Sequence, residues 1–104
     1  MKKLFISQPM RGKTDGQILS ERDRAIKRAK ELLGDDVELI DSFFSGFPED
    51  NDESINKPVF YLGKSLEKLA SADVAYFCKG WNEYRGCKIE HIVAKEYDIR
   101  TIEE

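Results

Sequence analysis

The sequence predicts a three-layer α/β domain of about four mostly parallel strands with helices on both faces. Two observations carry that expectation. Short apolar runs alternate with stretches of helical period from one end of the chain to the other. The connections between them are short, which calls for right-handed crossovers and a parallel sheet. At 104 residues and 12.0 kDa, residues 1–104 read as one domain with a small core.

The elements follow in order. Leu4-Phe5-Ile6 is a buried strand that stops at Gln8-Pro9. From Thr14 the period becomes helical, with Ile18, Leu19, Ala25, Ile26, Ala29, Leu32 and Leu33 on one face. Thr14 and Gln17 have the spacing of a capping box, and Gly34 ends the helix. Val37 to Ile40 is the second strand. Ser42 to Lys57 carries Gly46, Pro48 and many polar residues and reads as a long loop, whose Phe43, Phe44 and Phe47 are expected to pack. Asn56-Lys57-Pro58 opens a second helix, because proline in the first turn sacrifices no hydrogen bond. Its expected inner face is Val59, Leu62, Leu66, Leu69 and Ala70. Val74 to Phe77 is the third strand, and residues 79–85 are a loop. A third helix follows from Gly86 to Glu96, with Ile89, Ile92 and Val93 inward, and the last strand is near Ile99 to Ile102.

Composition narrows the function. Seventeen Lys and Arg against twenty Asp and Glu give a net charge of -3. A nucleic-acid clamp needs a basic excess, so no nucleic acid polymer is expected as partner. No apolar run approaches the roughly 20 residues of a membrane span, so no membrane partner is expected either. Cys78 and Cys87 form neither a disulfide framework nor a zinc pattern, which points to a cytoplasmic protein with no metal and no cofactor. A four-stranded sheet with open edges suggests a homodimer or a higher homo-oligomer.

In an open parallel sheet, ligands bind beyond the carboxyl ends of the strands. Ser7-Gln8-Pro9-Met10-Arg11-Gly12-Lys13 joins the first strand to a capped helix there. Its hydroxyl, amide, glycine and two cations suit an anion beside a helix N-terminus. A tight turn with Arg11 and Lys13 in water fits the same residues. Asp41 and the stretch from Cys78 to Gly86 reach the same end. Glu90, one turn into the third helix, flanks its inward face and is a candidate nucleophile or base; a first-turn glutamate that complements the helix dipole is the plainer reading. Asp73 precedes the third strand. Trp81 and Tyr84 could stack on a base or cap the core. His91, the one histidine, reads as surface or interface.

Together these residues resemble the nucleoside 2-deoxyribosyltransferase-like superfamily, and most closely its short bacterial and phage members of unknown function. Leu4 to Lys13 is similar to the substrate loop of that superfamily, and Ala72 to Phe77 to its third strand with an aspartate. Gly86 to Ala94 is similar to its Gly-x-x-x-Glu helix. The resemblance implies a flavodoxin- or Rossmann-like fold and N-glycosidic chemistry on a (deoxy)nucleoside or its 5′-monophosphate, by hydrolysis or transfer. Glu90 would attack the anomeric carbon while Asp73 supplies a proton to the base. Ser7, Arg11, Gly12 and Lys13 would hold the 5′ end, and Trp81 and Tyr84 the base. Tyr84 also stands where the transferases carry a further aspartate. A nucleotide-binding or sensor module without turnover is the alternative. The enzymatic reading requires Asp73 and Glu90 to share one cleft with the Ser7 turn.

Overall fold

The structure, a computed structural model, describes residues 1–40 and 54–104. Asp41, Phe43, Phe44 and Phe47 lie outside the described residues. In chain order, β1 is Lys2–Ser7, α1 Asp15–Leu33, β2 Val37–Leu39, α2 Lys57–Leu69, β3 Val74–Phe77, α3 Arg85–Glu96 and β4 Arg100–Glu103. A single 3₁₀ turn, Trp81–Glu83, precedes α3.

All strand pairs are parallel, in the order β2-β1-β3-β4, with helices on both faces. The three-layer α/β architecture is therefore as expected. Side chains alternate across β1 and β3, and the two halves of the core follow from that period of two. Leu4, Val74, Tyr76 and Cys78 face α1 through Ala25 and Ala29. Phe5, Ala75 and Phe77 face α2 and α3 through Leu69 and Ala94. Both faces of β3 are buried, and all four of its residues are apolar. A strand covered on two sides has no polar face to offer.

Local chemistry sets the helix ends. Thr14 accepts from the Gln17 amide while the Gln17 side chain accepts from Thr14 N–H, and Gly34 closes α1 with φ 67°. That left-handed backbone suits glycine, since a Cβ there is costly. Asn56 caps α2 by accepting from Val59 N–H. α3 has no side-chain cap among the described residues.

Several residues expected inside are outside. Leu19 (62% exposed), Leu32 (52%), Val59 (61%) and Ile92 (58%) face away from the core, and Ala70 is exposed. The sheet is four short strands wide, so it covers a narrower stripe of each helix than the apolar periodicity offers.

Chain order reverses at the centre of the sheet: β1 leads to β2 on one side, and α2 then crosses back to β3 on the other. The crevice of such a fold opens beyond the carboxyl ends of those two central strands, at Ser7 and Phe77.

Candidate functional site

Ser7 is the last residue of β1 and lies on the same face as Phe5, toward α2 and α3. Cys87, Glu90 and Ala94 form the buried stripe of α3, at helical spacing. The two meet: the Ser7 hydroxyl donates to Glu90 Oε1 at 2.9 Å, in a buried contact between residues 83 apart in sequence. Glu90 is 7% exposed, and no ion pair reaches it among the described residues. Burial raises its carboxyl to about 7, and the Ser7 hydrogen bond restrains the rise. The plainer sequence reading, a solvated glutamate that only complements the helix dipole, does not fit this buried position. Desolvation is the larger influence on this carboxyl and sets it well above its ordinary value.

Ser7 and Glu90 line a cleft of 280 Å³ whose other walls include Gln8, Met10, Ser65 and Lys68. Gln8 Nε2 donates to the Ile18 carbonyl at 2.8 Å and to Glu21 at 3.2 Å. Both partners are acceptors, which fixes the orientation of the amide. Gln8 Oε1 is then left buried with no donor among the described residues. An unpaired buried acceptor costs about 1–3 kcal/mol, so an enclosed water is its natural partner.

The cations of the turn divide. Lys13 Nζ lies 2.7 Å from Glu21 Oε1 and 3.0 Å from Oε2. Burial works against the Glu21 charge, but its hydrogen bonds to Lys13 and Gln8 prevail and hold the carboxyl below its ordinary value. Lys13 is therefore committed to α1 and is removed from the expected phosphate contacts. Arg11 is exposed and lines a second cleft, of 620 Å³, with Glu83, Tyr84, Arg85 and Gly86. Gly12, at φ 78°, lets the chain turn between these two outcomes. Pro9 is fully buried, and Met10 is 48% exposed.

Asp73 is elsewhere. Its Oδ2 accepts from the backbone N–H of Lys3 at 2.7 Å, at the amino end of β1. The register pairs Leu4 with Val74 and Ser7 with Phe77, so Asp73 lies four residues below Ser7. At 3.3 Å per residue that is about 13 Å, against the 5–5.5 Å that separates the carboxyl groups of a retaining glycosidase. The expected pairing of Asp73 with Glu90 is overturned, because a residue preceding a parallel strand belongs to the opposite end of the sheet from the ligand crevice.

Trp81 is also committed. Its ring stacks on His91 with centroids 4.1 Å apart and packs on Phe77 at 5.6 Å. His91 Nε2 in turn contacts Glu103 Oε1 at 2.9 Å. Trp81 thus ties the loop to α3 and β4 and does not offer its His91-stacked face to a base. His91, read from the sequence as surface or interface, is partly buried and packs on Trp81 and Phe77. Tyr84 and Gly86 line the second cleft and not the one that holds Glu90.

Sequence reasoning missed Ser65, Lys68 and Arg85. Ser65 and Lys68 stand at i and i+3 on α2, beside the stripe Leu62, Leu66 and Leu69, and two polar residues at that spacing next to a buried stripe are the available signal. Among the described residues, no group of three His, Cys, Asp or Glu side chains could hold a metal ion, and no helix is long and apolar enough to cross a membrane. Comparison with known proteins returns no match to a family model, a curated protein or a solved structure.

Proposed function

We propose that this chain binds a (deoxy)nucleoside or its 5′-monophosphate beside the Ser7 turn and cleaves the N-glycosidic bond with Glu90 as nucleophile. The observation that supports it most is the buried Glu90 carboxyl, held on one oxygen by Ser7 and lining a cleft at the switch point of the sheet. A nucleophilic carboxylate attacks the anomeric carbon to give a glycosyl ester, which water then hydrolyses. One oxygen fixed by Ser7 leaves the other to attack. The desolvated site strengthens the attraction between that carboxylate and the positive charge that develops on the sugar. Arg11 with Arg85, which line the second cleft on the other side of the turn's Met10, supplies positive charge for a 5′-phosphate. The resemblance to the nucleoside 2-deoxyribosyltransferase-like superfamily points the same way.

A binding module without turnover is the second reading. The position of Asp73 favours it, since general acid assistance contributes about 10²–10⁴-fold to such reactions and this aspartate does not provide it. Incubation with deoxynucleosides, ribonucleosides and their monophosphates, followed by chromatography for free base, separates the two. Base release by wild type that Glu90→Gln abolishes is the expected result. Saturable binding with no release establishes the module instead, and release undiminished in Glu90→Gln removes Glu90 from the chemistry.

A further inference from the structure

We propose that Lys68 is the proton donor to the departing base, the second catalytic group of the site. The inference rests on the reading of Glu90 as nucleophile. Breaking the bond between C1′ and a purine or pyrimidine nitrogen leaves an electron pair on that nitrogen, and a donor on the far side of the sugar from the nucleophile captures it with a proton. Asp73 does not meet that requirement.

Lys68 shares a cleft with the nucleophile. It lines the 280 Å³ cleft together with Glu90, Ser7 and Gln8, and comes from α2 while Glu90 comes from α3. It is half-buried, and no ion pair joins it to Glu90. A lysine and a carboxyl that line one cleft with no ion pair between them are both available to a ligand there. The other cations nearby are unsuited. Lys13 is held by Glu21, Lys64 by Glu67 and the Phe60 ring, and Arg11 and Arg85 line a different cleft. An arginine also does not give up a proton in a protein, whereas a lysine ammonium does.

The step balances. The bond from Glu90 Oε to C1′ forms as the bond from C1′ to the base nitrogen breaks. The electron pair goes to that nitrogen, which takes a proton from Lys68 Nζ, leaving an amine. Water then attacks C1′, the Lys68 amine accepts the water proton, and Glu90 departs as a carboxylate. Nucleoside and water become free sugar and free base.

Lys68 also sits in the last turn of α2, where a solvated lysine merely complements the helix dipole. Leaving-group dependence distinguishes the two roles. Release of hypoxanthine from 2′-deoxyinosine requires a proton on the base; release of 7-methylguanine from 7-methyl-2′-deoxyguanosine does not, because that base departs neutral from a cationic nucleoside. Lys68→Ala is expected to lower kcat/KM on deoxyinosine by about 10²–10⁴-fold and on the methylated substrate by less than about a tenth of that factor. Lys68→Arg keeps the charge but cannot deliver the proton, so it is expected to follow Lys68→Ala. Urea unfolding of each variant confirms that it is folded. Equal losses on both substrates, full activity of Lys68→Arg, or no loss at all overturns the assignment while leaving Glu90 in place. A wild type that cleaves only the methylated nucleoside overturns it as well. If wild type releases neither base, the nucleophile reading falls and takes this one with it.

Discussion

Glu90 keeps a proton up to about pH 7 because its site favours the neutral form. The ordinary value is 4.5, so folding raises the affinity of this group for a proton. Its contribution to stability is complete below about 4.5, the value for the unfolded chain, and is lost as pH rises through 7. At 1.36 kcal/mol per unit, the loss is roughly 3 kcal/mol. Glutamine keeps the shape and the acceptor for Ser7 but does not ionise. Glu90→Gln is therefore expected to match wild type near pH 5 and to exceed it by a few kcal/mol at pH 8. Urea unfolding of both proteins from pH 5 to 8 measures this, and parallel stability curves would contradict it. The proposed nucleophilic role needs the opposite form, so base release is expected to rise through pH 7. The Ser7 hydrogen bond favours the ionised carboxyl, and Ser7→Ala is expected to move that rise to higher pH.

Elements deliver these groups by their period and their ends. β1 places Ser7 two residues beyond Phe5, so the same alternation that builds the core brings a hydroxyl to its rim. α3 carries Glu90 between Cys87 and Ala94, and its buried stripe draws the carboxyl inward along with the small residues. The loop before α3 is held by the stack of Trp81 on His91 and by the contact of His91 with Glu103. Glu103 itself is kept below its ordinary carboxyl value, first by His91. Trp81→Ala is expected to destabilise the chain by about 2–3 kcal/mol through lost packing. Thermal unfolding checks the loss, and a change in KM with no change in stability would return Trp81 to the ligand.

Across the whole molecule, the direction of the strands decides which residues share a site. Every strand is parallel, so all carboxyl ends open on one side and all amino ends on the other. Asp73 lies at the amino end and anchors Lys3 N–H; asparagine can accept the same bond. Asp73→Asn is therefore expected to leave base release within about twofold of wild type, since surface changes away from special features cost within about 0.5 kcal/mol. A fall of a hundredfold in an otherwise stable variant would place this residue in the chemistry after all.

Much of the fold was open to reading in advance because its signals are local. The capping box at Thr14, the glycine at 34 and the proline at 58 mark helix ends through neighbours a few residues away, and the apolar run from Val74 to Phe77 announces a strand buried on both faces. Ser7 was visible as the start of the turn after an apolar strand, and Glu90 as a residue flanking the inward face of its helix. The resemblance asked for a cleft shared by Glu90 and the Ser7 turn, but the hydrogen bond between them was not legible, nor was the separation of Asp73 from both, the commitment of Lys13 to Glu21, or the presence of Lys68 in the cleft. Local propensity sets which segments become strand or helix, and the alternation of those segments sets the layered architecture. Partners distant in the chain depend on register, crossing and side-chain reach, and those quantities come into being only when the sheet assembles.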